Sequence, residues 1–219
     1  MSKKPEVHYD FQPGTRPVMI EPPKLPHIGI YSGGFDPVHA GHIAFALKSQ
    51  KLAGLEHIYF VPERRPLTST EPEHYVHRSV MVENALRPYP QFSVFELPDA
   101  RLTSQSLSRL LAFSPQAEYS LLTTASDLLW HEGALPALYS RLHLIVAVTS
   151  HKQMAEVLAR LTAGDQPLGN ITFVDIGAAH VRSSDIRKGL RAGKRVRGVL
   201  PSVWRYARKQ WLYVPQIHR

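Results

Sequence analysis

The stretch His27-Ile28-Gly29-Ile30-Tyr31-Ser32-Gly33-Gly34-Phe35-Asp36-Pro37-Val38-His39-Ala40-Gly41-His42 decides how this chain folds. A short apolar strand, 28–32, runs into a Gly33-Gly34 turn, and two histidines follow three residues apart where a helix should begin. That spacing sets His39 and His42 on one face of the first helical turn. Backbone N–H groups without intrahelical partners and the positive end of the helix dipole favour an anion there. Gly33 and Gly34 free the turn to adopt unusual backbone angles and let a ligand approach it, and Gly41 leaves the surface between the histidines uncrowded. The local reading is a phosphate cradle with two proton-bearing donors.

Outward from this stretch, short β-rich runs alternate with amphipathic segments. Strands are expected at 28–32, 57–61, 92–97, 119–124, 142–148 and 171–176. Helices are expected at 40–53, 73–87, 104–113, 128–140, 151–163, 183–192 and 201–212. The alternation predicts one α/β domain, a doubly wound parallel sheet with helices on both faces, from 28 to 219. Ligands in such sheets bind beyond the carboxyl ends of the strands, where the Gly-Gly turn falls. Residues 1–27 hold six prolines and little apolar periodicity, and read as an extended arm.

Composition narrows the classes. Of 219 residues, 43% are hydrophobic and 20% charged, as in an ordinary water-soluble globule. The longest apolar strand-like run, Leu144 to Val148, is far too short to cross a bilayer, and the N-terminus lacks a secretory apolar core. A cytoplasmic location is the expectation. With no cysteine there is no thiolate nucleophile and no cysteine-based zinc site. The net charge is +8, and ten of the 28 residues from Arg182 to Lys209 are Lys or Arg, against one acid, Asp185. Polyphosphate binding with some surplus solvated charge is favoured over nucleic acid. Nucleic-acid binders interleave aromatics with cations, whereas Trp204, Tyr206 and Trp211 look like the packing side of a terminal helix.

A second constellation, Val181-Arg-Ser-Ser-Asp-Ile-Arg187, follows the strand at 171–176 and opens a helix. Ser183 or Ser184 could N-cap it, and the N–H groups, the hydroxyls and Arg187 would converge on an anion. A structural cap alone is the bland alternative.

The run Gly33 to His42 resembles the signature of the nucleotidyltransferases that share the (H/T)xGH motif, Gly-Gly-Ser/Thr-Phe-Asp-Pro-x-His-x-Gly-His. Residues 181–187 resemble that family's second signature, Ser-Ser-Thr-x-Ile-Arg. Leu200-Pro201-Ser202-Val203 to Leu212-Tyr213 resembles the terminal Leu-Pro-x-x-Val…Leu-Tyr helix of bacterial nicotinate-nucleotide adenylyltransferases, and the likeness covers about 28–213. The resemblance implies a Rossmann-like fold and transfer of AMP from ATP to the phosphate of a mononucleotide, nicotinate mononucleotide before others, with release of pyrophosphate. It implies Mg²⁺ carried on the ATP, no metal held by the protein alone, and nucleotides as the small-molecule partners; a homo-oligomer stays open and no membrane is involved. The implied ATP site is Ser32, Gly33, Gly34, Phe35, His39, Gly41, His42, Asp127, Ser183, Ser184 and Arg187, with His39, His42 and Arg187 acting on the reacting phosphates. The implied acceptor side is Arg65, Thr68, Arg78 and Trp130. Asp36 reads as a turn or orienting residue rather than a base.

Departures from the family cluster on the acceptor side. Gly34 stands where a Ser or Thr is usual, and Pro66-Leu67-Thr68-Ser69 replaces Pro-Pro-His-Lys. Ala134 or Leu135 falls where a stacking Trp is expected, with Trp130 and His131 nearby but out of register. After the strand at 142–148 the family often carries an Arg, where this chain has Thr149-Ser150-His151. A diverged nucleotide-binding relative with another acceptor, or without catalysis, is therefore the main alternative. A nucleic-acid module on the basic C-terminal region is a third reading.

Overall fold

Strand β1 (His27–Gly33) is central in a six-stranded parallel sheet, with β2 (His57–Pro62) and β3 (Phe92–Val94) on one side and β4 (Glu118–Thr124), β5 (His143–Val148) and β6 (Ile171–Asp175) on the other. The computed structural model describes residues 25–66, 71–112, 115–130, 142–163, 170–177 and 181–214. The strand order β3-β2-β1-β4-β5-β6 reverses direction between β1 and β4. A doubly wound sheet opens a crevice at that switch point, at the strands' carboxyl ends.

Alternate residues of the strands feed two cores. Tyr31, Phe60, Leu122 and Ile145 pack with α1 (Ala40–Ala53), α2 (Tyr75–Leu86), α6 (Ser183–Arg191) and α7 (Pro201–Lys209). Ile30, Val61, Leu121 and Leu144 pack on the opposite face with α3 (Ser104–Leu111), α4 (Ala125–Trp130) and α5 (His151–Thr162). Strands buried on both faces read as near-continuous apolar runs, which is how β2 and β5 look in the sequence.

The element boundaries differ from expectation in three informative places. The third strand stops at Val94 rather than 97, because the chain beyond it turns to meet the loop after β2, where the Leu97 carbonyl accepts from Arg64 Nε at 3.1 Å. The fourth helix starts at Ala125, three residues early, because the Asp127 N–H bonds Thr124 Oγ1 at 3.1 Å and lets the helix begin directly at the strand end. The rest of the expected 128–140 helix lies outside the described residues, as do arm residues 1–24. The sixth helix is N-capped by Arg182 and not by either serine; Ser183 Oγ instead donates to the Pro37 carbonyl at 3.2 Å, tying α6 to the loop after β1. Among the described residues no helix is long and apolar enough to cross a membrane.

Candidate active site

A cleft of about 340 Å³ opens at the switch point, walled by the ends of β1, β4 and β5 and by the starts of α1 and α6. The structure brings Ser32, Gly33, Gly34, Phe35, His39, Gly41, His42, Asp127, Ser183, Ser184 and Arg187 together around it. Two stretches about 150 residues apart in sequence thus meet at one site because β1 and α6 share a face of the sheet.

The two histidines form a reciprocal cap. His39 is the N-cap of α1 and His42 its third helical residue; His42 N–H donates to His39 Nδ1 at 3.3 Å, and His39 N–H donates to His42 Nδ1 at 3.1 Å. The rings stack with centroids 3.6 Å apart. Since both Nδ1 atoms accept, each neutral ring carries its proton on Nε2, the tautomer this hydrogen-bond pattern assigns. Burial, and then the neighbouring His39, push the His42 pKa well below the ordinary imidazole value, so it is a neutral donor near pH 7. The backbone contribution at this helix start is smaller than the sequence suggested. Ala40 N–H is taken by the Gly198 carbonyl at 2.9 Å, and His42 N–H by the cap.

Asp36 holds the second half of the site against the first. Its Oδ1 accepts from Tyr213 Oη at 2.8 Å and from the Glu73 N–H at 3.2 Å. Arg187 Nη1 lies 3.5 Å from Asp36 Oδ2 and donates to the Asp36 carbonyl at 2.6 Å. Asp36 is 4% exposed, and these contacts tie Arg187, Tyr213 and the Glu73 backbone to it. A guanidinium has five donors, so this arrangement fixes the Arg187 plane and leaves other N–H groups for a ligand in the cleft.

Of the expected acceptor-side residues, the two described in full, Arg65 and Arg78, do not wall the cleft. Arg78 is fully buried and donates to three backbone carbonyls, those of Glu73 (2.7 Å), Gly34 (2.5 Å) and Arg64 (3.2 Å). It staples the Gly-Gly turn to the loop after β2 and does not wall the cleft; a charge can be buried here because those carbonyls replace its water. Met81, three residues on in α2, is likewise fully buried. Arg65 is exposed, its N–H on the Ala100 carbonyl at 2.9 Å, and does not wall the cleft. Thr68, Ala134 and Leu135 lie outside the described residues, and Trp130 ends α4 with its side chain outside them. Gly34 has a local reason: a Cβ there would come within 2.9 Å of Pro66 Cβ, so Pro66 occupies the space the family's Ser or Thr would need.

Thr149 and Gln153, not among the expected site residues, also line the cleft, and Glu63 bonds Ser32 of its wall. Glu63 directly follows β2 and accepts from Ser32 Oγ at 3.1 Å. Its carboxyl is raised to about 7, chiefly by burial; the Ser32 hydrogen bond lowers it and the charge of Asp127 raises it. Its place at the carboxyl end of β2 was the one signal. Gln153 Oε1 accepts from the Thr149 N–H (2.8 Å) and hydroxyl (3.1 Å), which turns its amide donors away from those two partners in the cleft wall.

The cytidylyltransferase-like family model matches residues 30–189. The chain is 32% identical over 211 residues to the "Probable nicotinate-nucleotide adenylyltransferase" of Desulfitobacterium hafniense strain Y51, covering 88% of this chain and 97% of that protein. It is 30% identical over 198 residues to the protein of that name from Saccharopolyspora erythraea, covering 85% and 89%. Among solved structures, Plasmodium falciparum nicotinic acid mononucleotide adenylyltransferase complexed with NaAD superposes with a TM-score of 0.68 at 18% identity, over 86% of this chain and 97% of that one.

Proposed function

Because the chain belongs to the cytidylyltransferase-like family and to its nicotinate-nucleotide adenylyltransferases, we propose that it transfers AMP from Mg-ATP to the phosphate of nicotinate mononucleotide, giving the deamido dinucleotide and pyrophosphate. The observation that carries this reading is the convergence of the His39–His42 pair and Arg187 on one cleft at the switch point.

An acceptor phosphate oxygen attacks the α-phosphorus, the α–β anhydride bond breaks and pyrophosphate leaves. No protein nucleophile is required, so catalysis rests on alignment and charge stabilisation. The Nε2–H groups of His39 and His42 donate to phosphate oxygens as charge builds. Arg187, held by Asp36, and the N–H groups of Ser183 and Ser184 hold the leaving phosphates. Asp127, whose Oδ2 accepts from Thr124 Oγ1 at 2.8 Å, and the amide of Gln153 meet the sugars. Among the described residues no three His, Asp or Glu side chains gather around a cation site. Mg²⁺ enters as part of the ATP substrate and keeps most of its water. ATP and mononucleotides are cytoplasmic metabolites, and the cytoplasm is the compartment this reading assigns.

Pyrophosphate release from Mg-ATP with nicotinate mononucleotide, alongside other nucleoside and cofactor-precursor phosphates, tests the reading. Release that requires the mononucleotide supports it. Tight ATP binding with no release for any acceptor would instead identify a nucleotide-binding relative without transfer.

A further inference from the structure

The C-terminal third carries a surface that AMP transfer does not use. Lys188 and Arg191 are exposed on α6, Lys194 and Arg195 in the turn after it, and Arg205, Arg208 and Lys209 on α7. None of these seven takes part in an ion pair with a described residue, and Asp185 is the one acid between 182 and 209. The two helices pack together, and Arg208 Nη1 reaches to 3.7 Å from where a Gly193 Cβ would stand, which joins the α7 charges to those of the turn. The strip begins beside the cleft, whose wall includes Arg182.

At the far end stands Trp211. Helical periodicity places it on the packed side of α7, but it is 74% exposed. The chain reverses there, with Trp211 at φ 54° and Tyr213 at φ 62°, and Tyr213 is anchored by its hydroxyl on Asp36. A left-handed backbone is a poor conformation for a bulky side chain. An exposed indole held in that way, just past Arg208 and Lys209 in the chain, is costly as decoration. Arg208 itself lies over the Trp204 ring at 5.9 Å. Cations that track a phosphate backbone beside an aromatic on which a base can stack are the two parts of a single-strand binding surface.

We propose that the α6–turn–α7 face binds single-stranded nucleic acid, with Trp211 as its stacking platform. The charge run alone reads equally as solvated surplus, and only the exposed Trp211 distinguishes the two. This proposal stands apart from the adenylyl-transfer reading and neither needs it nor supports it.

The test is fluorescence anisotropy of a fluorescein-labelled twenty-nucleotide oligothymidylate titrated with the intact chain over a range of salt. Micromolar binding is expected at low salt, with log affinity falling against log salt at a slope of about −3, as for about four neutralised phosphates on a single strand. Trp211→Ala should weaken binding about tenfold with an unchanged slope, and binding should quench the wild-type indole fluorescence. The triple variant Lys188→Glu, Arg205→Glu, Arg208→Glu should abolish binding. Pyrophosphate release by both variants, or their melting curves if the chain releases none, should match wild type. Binding that ignores Trp211→Ala would overturn the proposal in favour of unspecific charge attraction. Preference for phosphatidylglycerol vesicles over the oligonucleotide would overturn it in favour of a membrane surface. A dimer lost with Trp211→Ala would overturn it in favour of self-association.

Discussion

In the proposed transfer, His42 serves stability and chemistry together. Its Nδ1 closes the cap of α1, and that bond is what commits Nε2–H to the cleft-side proton. The pair was legible in the sequence because everything it needs is local: a strand, two glycines and two imidazoles a helical turn apart. Replacing either His39 or His42 by Ala should cut turnover about a hundredfold, since a preorganised donor to developing charge is worth roughly 3 kcal/mol. The lost cap should lower stability by only about 1 kcal/mol, so kinetics and thermal melting run on the same variants separate the two roles. The depressed His42 pKa also has a sign. The unfolded chain binds the proton more readily, so the stability His42 contributes is present above about pH 6.5 and is lost as pH falls toward its lowered folded pKa. Arg78 was not legible, because the three carbonyls that replace its water come from segments with no common local pattern.

Elements, in contrast, could be read almost throughout, since strands buried on both faces and amphipathic helices announce themselves by period. What period could not show is how one connection leans on another. The Gly34 turn and the Pro66 loop touch, and Arg78 holds both. Gly34→Ser, which restores the family's usual residue, should therefore destabilise the chain by about 1–3 kcal/mol through overpacking. Adding Pro66→Gly should recover much of that loss. A double-mutant cycle by urea unfolding measures the coupling, and independent, additive costs would mean that the two do not compete for the same space. The failure at Trp211 has a similar origin: a left-handed residue ends the helix, and from there the helical period no longer says which way a side chain faces.

For the whole molecule, Glu63 and His42 pull stability in opposite directions with pH. Folding raises the Glu63 pKa from 4.5 to about 7, so its favourable contribution is present below pH 4.5 and is lost as pH rises through 7. Above that, the folded chain holds an ionised carboxylate in a site that resists charge. Glu63→Gln should raise the melting temperature more at pH 8 than at pH 5; an equal effect at both would show that Glu63 titrates alike in the folded and unfolded chains. Tyr213→Phe should cost about 1–2 kcal/mol, because it leaves buried Asp36 short of a donor. It should also weaken ATP more than the acceptor, because Arg187 leans on the same carboxylate. That contact has a further consequence for how the protein comes into being. Tyr213 follows Asp36 by 177 residues and is made after it. Until Tyr213 is made, the Asp36 carboxylate that Arg187 leans on lacks its phenol donor. A chain cut before Tyr213 would keep the signature motif but lose this donor to Asp36.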